Sequence, residues 1–64
     1  SRDDFIAAYL HRAYGRVLCQ EDRREDGFGE LSRALDIFTQ IQMKPEAEKT
    51  TRLIELCAET TNNQ

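Results

Sequence analysis

The residue types that most often form catalytic or metal sites are scarce in this chain: one histidine, His11, and two cysteines, Cys19 and Cys57. On a helix, eight residues separate His11 from Cys19 by about 12 Å along the axis, beyond the hydrogen-bond reach that a base and its nucleophile need. CxxC and HxxxH spacings, which are typical of zinc sites, do not occur. We therefore interpret His11 as a partly exposed structural residue and expect no enzyme activity, metal or cofactor.

The two cysteines are too few for a disulfide-rich scaffold, which normally has four or more. We interpret Cys19 and Cys57 as small buried hydrophobic residues, with a bridge between them as the alternative. A core of fewer than about 70–80 residues rarely supplies more than about 3–5 kcal/mol, so such chains usually need a further constraint. Without a bridge, that constraint is a partner or more chain, and we expect residues 1–64 to be a single helical module within a larger protein.

Residues 21–26 carry six consecutive charges, Glu-Asp-Arg-Arg-Glu-Asp. A calcium loop needs a glycine among its acids and a final glutamate, whereas Gly27 follows these acids. We interpret the run as a solvated turn or the exposed start of a helix. The net charge of −3 argues against nucleic acid as a partner. Apolar runs of membrane-spanning length and a signal peptide are both absent, so we expect a cytoplasmic protein without membrane contact.

Hydrophobic residues repeat with helical spacing in three stretches, at about residues 3–20, 23–42 and 45–60. No stretch alternates long enough to be a strand. In the first stretch, Ile6, Leu10, Ala13 and Val17 form an apolar stripe that we expect to be buried. The links are short, so consecutive helices should be antiparallel neighbours. The fold class is therefore all-α, a helix–turn–helix unit with a third packing helix, and we expect residues 60–64 to fray.

Helix-start signals accompany each stretch. Asp3 or Asp4 is suited to cap the first helix. Asp22 is suited to cap the second, with Glu25 as its capping-box partner, although a later start at Asp26 is the alternative. Pro45 fits the first position of the third helix, where its missing N–H costs nothing. Glycines inside the second helix would cost about 1 kcal/mol each, so Gly27 indicates close approach of another backbone.

Polar residues line one face of the first helix, where Tyr9, Arg12, Arg16 and Gln20 follow one another at spacings of three, four and four. A guanidinium group pairs two carboxylate oxygens at once. Two arginines beside a tyrosine could therefore bind a peptide that bears carboxylates. The alternative is an ordinary solvated face, since exposed ion pairs contribute little energy.

The first two helices resemble a tetratricopeptide repeat, a helix–turn–helix unit of about 34 residues. Gly15 and Ala34 have the separation of the family's late first-helix glycine and second-helix alanine, and Gly27 falls on its first small residue of the second helix. The sequence departs from the family pattern at His11, which stands at the tryptophan position, and at Thr39, which stands at the terminal proline position. The stretch from Ala34 is similar to longer repeats in the sensor regions of large bacterial transcription regulators and signalling ATPases.

The resemblance implies a protein–protein interaction module of a signalling or regulatory protein, with the first helix lining the ligand groove. By register, the groove-lining positions are Tyr9, Arg12, Arg16, Cys19 and Gln20. The implied partner is a protein or peptide, which includes another copy of the chain. Two alternatives remain: a dedicated homo-oligomerisation domain, and a helical nucleic-acid-binding domain supported only by Arg12, Arg16, Arg23 and Arg24.

Overall fold

Three helices make up the computed structural model, which describes residues 1–59: α1 (Arg2–Gln20), α2 (Arg24–Gln40) and α3 (Lys44–Glu59). No strand occurs within this range, so the predicted all-α, three-helix fold is confirmed. α1 and α2 pack closely along their lengths, and α3 packs mainly against α2. The observed ends lie within two residues of the predicted ones. The predicted fraying of residues 60–64 falls outside the described residues.

The first two helices end in the same way. Asp22 and Gln42, each just past a helix, adopt left-handed φ angles of 64° and 63°. The N–H of the following residue, Arg23 or Met43, then donates at 2.9 Å to the carbonyl oxygen of Leu18 or Phe38. These bonds form a Schellman motif, which satisfies helix-end carbonyls and reverses the chain.

The predicted helix caps need correction. Asp22 ends α1 instead of capping α2, and its carboxylate lies 2.9 Å from Arg24; α2 begins at Arg24 with no side-chain cap. At α1 the cap is Ser1, whose hydroxyl accepts the N–H of Asp4, and Asp4 completes the capping box. α3 begins at Lys44, so Pro45 is its second residue, still within the turn where an N–H has no helical acceptor.

The crossing of α1 and α2 is closest at two glycines. A Cβ on Gly15 would lie 2.8 Å from Leu31 Cγ and 3.1 Å from the carbonyl oxygen of Gly27. A Cβ on Gly27 would lie 2.5 Å from Cys19 Sγ and 3.1 Å from the carbonyl oxygen of Gly15. The predicted close approach at Gly27 is confirmed, because neither helix could move this near with a larger residue at the crossing.

Two small clusters of buried residues form the core. The aromatic cluster, at the N-terminal half of α1, consists of Ala8, Ala34 and Phe38 with Tyr9, Ile37, Ile41, Met43 and Ala47 packed around them. The disulfide cluster, at the C-terminal end of α1, consists of Cys19, Leu31 and Cys57 with Phe28, Leu53 and Ile54 around them. The core is thus divided along the long axis of the molecule.

Cys19 and Cys57 form a disulfide that joins the end of α1 to the end of α3, with a Cα–Cα distance of 5.6 Å. The prediction that they are buried is confirmed, but their interpretation as unbonded hydrophobic residues is wrong. Pairing depends on how the ends of two helices lie in space, and 38 residues separate the two positions in sequence. Cysteine count alone could not reveal this arrangement.

The expected burial of the apolar stripe on α1 is also wrong. The buried residues of this helix are Ala8, Gly15, Leu18 and Cys19, which are mostly small. Ile6, Leu10, Ala13 and Val17 lie on the opposite side and are exposed. Small residues allow α2 to approach α1 closely, so α1 packs against it through the face that carries Ala8 and Gly15, and Ile6, Leu10 and Val17 remain outside.

Candidate interaction surfaces

The guanidinium group of Arg12 connects α1 to the first turns of α3. Its Nη2 lies 2.7 Å from Glu46 Oε1. Its Nη1 donates to the carbonyl oxygen of Glu46 at 3.3 Å and to Thr50 Oγ1 at 3.2 Å. The Cζ atom lies 5.0 Å from the ring centroids of both Tyr9 and Phe38. Arg12 is therefore occupied by internal contacts, and only 13% of its side chain is exposed.

The contact with Arg12 changes the pKa of the Glu46 carboxyl. The Arg12 guanidinium lowers the pKa of the Glu46 carboxyl below its ordinary value, against an opposing effect of partial burial, and Lys49 at 3.8 Å adds to the lowering. Thr50, fully buried, donates from its hydroxyl to the Glu46 carbonyl oxygen at 2.8 Å. These contacts favour the ionised form of Glu46 and join α1 to α3.

Tyr9 is likewise part of the fold. Its ring meets Phe38 edge-on, with centroids 5.2 Å apart, and Phe5 with centroids 5.0 Å apart. Such edge-to-face pairs add to the energy of burial. Of the five predicted groove residues, Tyr9 and Arg12 thus lie between α1 and its neighbours.

The other three predicted residues lie together at a shallow groove between the C-terminal halves of α1 and α3. Arg16 and Gln20 are exposed at its edge, and Cys19 lines it through the disulfide. Leu53 and Leu56 form the α3 side. The groove offers one arginine and a small apolar surface, which is less than the paired arginines inferred from the sequence.

A second surface, the outer stripe, runs along the exposed side of α1, and Tyr14 lies at its edge nearest α2, where it lines a shallow pocket with Leu18 and Arg23. We define the outer stripe as Ile6, Leu10, Ala13, Tyr14 and Val17. The exposed fractions of its large side chains are 47% for Ile6, 65% for Leu10, 52% for Tyr14 and 46% for Val17. None of these side chains is buried within residues 1–59. Contiguous exposed apolar surface of this kind is typical of an interaction site.

Sequence reasoning found the stripe but assigned it to the core. A usable signal was present on the opposite side of the same helix, where Ala8 and Gly15 stand in line with Leu18 and Cys19. A helix with a small-residue face and a large-residue face has two surfaces for packing. The small-residue face is the one that permits the closer helix crossing.

Several other polar side chains are paired between or within helices. His11 Nδ1 lies 2.6 Å from Glu30 Oε1, and this pair joins α1 to α2. Arg23 lies 2.8 Å from Asp26, and Arg24 is paired with Asp22.

Within the described residues, no group of three or more histidine, cysteine or acidic side chains is placed to hold a metal ion. None of the three helices is long and apolar enough to cross a membrane.

Comparison of the chain with protein-family models, with curated proteins and with solved structures gives no significant match.

Proposed function

We propose that this chain is a helical protein–protein interaction module that binds through the outer stripe of α1 and carries out no chemistry of its own. The observation that carries the proposal is the row of half-exposed large apolar side chains on a helix whose opposite side is already packed. Leaving this surface in water is unfavourable by roughly 25 cal/mol per Å² of apolar area. A second helix laid along α1 would bury it.

The proposal modifies the interaction surface inferred from the sequence. Arg12 is engaged with Glu46 and Thr50, so a carboxylate ligand would have to displace an internal ion pair. Arg16 and Gln20 remain exposed at the edge of the groove and would flank a helix bound to the outer stripe. The tetratricopeptide resemblance and a role in signalling or regulation stay predictions.

Two further points concern the class of partner and the cellular location of the protein. The nucleic-acid alternative has less support, since Arg12, Arg23 and Arg24 are paired with carboxylates.

The cytoplasmic location stays a prediction. The Cys19–Cys57 disulfide weighs against it, because disulfides persist mainly in oxidising compartments. Alkylation of free thiols in intact cells, followed by mass spectrometry of the chain, would measure the bonded fraction directly.

Site-specific photo-crosslinking tests the proposal. A benzophenone side chain replaces Leu10 in one variant and Asp36, the exposed residue opposite the packed face of α2, in the control. In cells expressing the chain, we expect a discrete covalent product at position 10 and none at position 36. Adding Val17→Glu to the position-10 variant should abolish that product. Equal labelling at both positions, or none at either, would contradict the proposal.

A further inference from the structure

We infer that the helix bound on the outer stripe is α1 of a second copy of this chain, packed antiparallel to the first. This inference rests on the proposed function, since it names the partner of the same surface. It follows from the spacing of the stripe, the sizes of the side chains along it and the polar residues at its two ends.

The stripe has the spacing of a two-helix seam. On the exposed side of α1, residues follow one another at alternating steps of three and four, in the order Asp3, Ile6, Leu10, Ala13, Val17 and Gln20. Such a repeat of 3.5 residues keeps one line of side chains facing a partner helix, as in coiled coils. The seam covers nearly the whole of α1 and ends in polar residues on both sides.

Side-chain volume favours the antiparallel direction. Two antiparallel copies place Ile6 opposite Val17 of the second copy and Leu10 opposite Ala13 of the second copy. Every layer then contains one larger and one smaller side chain, which fills the space between the helices evenly. A parallel pair would place Leu10 against Leu10 and Ala13 against Ala13, and the alanine layer would leave unfilled space.

The ends of the seam favour the same direction. In the antiparallel pair Asp3 lies opposite Gln20 of the second copy, and this contact occurs twice by symmetry. An amide N–H can donate to a carboxylate, so the contact is favourable. The parallel pair would place two Asp3 carboxylates side by side, which is unfavourable for like charges.

The area available for burial places the interface at the small end of specific interfaces. The half-exposed large side chains offer on the order of 400 Å² per copy, at about half the area of a large side chain each. With the flanking Arg16 and Gln20, the total reaches roughly 1,000 Å², the lower end of specific interfaces. We therefore expect a weak dimer, since interfaces of this size are typical of transient contacts.

Sedimentation equilibrium of the purified, disulfide-bonded chain, from about 10 µM to about 1 mM, measures this dimer. Leu10→Glu places a charge in the middle of the seam and should weaken dimerisation more than about tenfold. Ser32→Glu adds the same charge at an exposed position of α2 and should leave dimerisation unchanged. Circular dichroism checks that both variants keep their helices. A wild type that stays monomeric throughout, or equal weakening by both substitutions, would overturn the inference.

A second pair of variants tests the direction of packing without altering the apolar surface. Gln20→Lys brings a cation opposite Asp3 of the second copy in the antiparallel pair, but opposite another lysine in a parallel one. We expect the dissociation constant to fall about two- to fivefold. Gln40→Lys makes the same charge change at the last residue of α2 and should have no effect. A weaker dimer for Gln20→Lys would overturn the antiparallel arrangement.

The photo-crosslinking experiment separates this inference from the proposed function. A position-10 product with twice the mass of the chain supports both. A product with a different protein, together with a monomeric purified chain, overturns the inference and leaves the proposed function standing. The absence of any specific product contradicts the proposed function itself.

Discussion

The two core clusters attach α3 to the rest of the molecule in different ways. In the aromatic cluster, Phe38 is fully buried beneath Tyr9 and the guanidinium of Arg12, which reaches across to Glu46. In the disulfide cluster, a covalent bond joins α3 to the end of α1 beside Leu31, with Leu53 and Ile54 packed around it. One end is thus held by burial and charge, and the other by a constraint on the chain. The difference shows that α3 is held by an ion pair near its start and by a covalent bond near its end.

The comparison also changes what the small size of the chain implies. From the sequence alone, the limited core indicated that a partner or further chain must provide the missing stability. The Cys19–Cys57 bond supplies such a constraint within the chain. The reason to infer a partner is therefore the exposed outer stripe, and the size of the core no longer contributes to it.

Removal of the disulfide should have the largest effect. Constraining the 38 residues between Cys19 and Cys57 is worth about 4 kcal/mol in the loop-entropy relation. That is close to all the stability expected of a core this small. We expect Cys19→Ala with Cys57→Ala, or reduction of the wild type, to unfold most of the chain at 37 °C, as measured by circular dichroism. If the reduced chain kept its melting temperature, the aromatic cluster alone would be sufficient for folding.

The next effect is expected at the glycine crossing. Gly27→Ala places a methyl group against Cys19 Sγ, which the disulfide holds in place, and against the Gly15 carbonyl. Overpacking of this kind typically costs about 1–3 kcal/mol. Urea unfolding of the oxidised protein measures it. An unchanged unfolding midpoint would show that α1 and α2 can separate far enough to accept a methyl group at this position.

Gly29 provides the matched control two residues further along α2. A Cβ there meets no atom within 4 Å. Gly29→Ala should therefore stabilise the protein by about 1 kcal/mol, because alanine restricts the unfolded chain and favours the helix. A loss of stability in the same urea titration would mean that α2 tolerates no side chain on either face, and the contrast between the two glycines would fail.

The smallest effect is expected from the ion pair at the aromatic cluster, since partly exposed pairs are screened by solvent. Arg12 lowers the pKa of Glu46 from its ordinary value of 4.5. The ionised carboxylate therefore stabilises the fold above about pH 4.5, and this contribution is lost as the pH falls through the lower, folded pKa. Melting temperatures between about pH 3 and pH 7 should vary less in Glu46→Gln than in the wild type. An identical profile in both would exclude Glu46 as a source of acid sensitivity.

Local signals predicted the helices well. Hydrophobic spacing located all three helices to within two residues, and it identified the core face of α2, where Leu31, Ala34 and Phe38 are buried. Gly27 was recognisable because a glycine inside a helix needs a reason, and close packing is a common one. The left-handed conformations of Asp22 and Gln42 were not recognisable, since neither is the glycine that usually occupies such a position.

The interaction surfaces were predicted less well, and Arg12 and Leu10 show why. The periodicity of α1 indicates which residues share a face, but α1 has two faces that suit packing. The predicted polar face included Arg12, whose role depends on Glu46, 34 residues away in sequence. Whether an arginine binds a ligand or an internal carboxylate is decided by the helix that comes to lie beside it.

The sequence by itself therefore determined the number, extent and order of the helices, because helix formation depends on neighbouring residues and their spacing. Only the tertiary structure decided that Cys19 bonds to Cys57, that Arg12 is internal and that the outer stripe of α1 is exposed. Each of these depends on which face of α1 meets α2 and α3. That choice follows from how closely the backbones can approach at Gly15 and Gly27, a property of two helices together and not of either one alone.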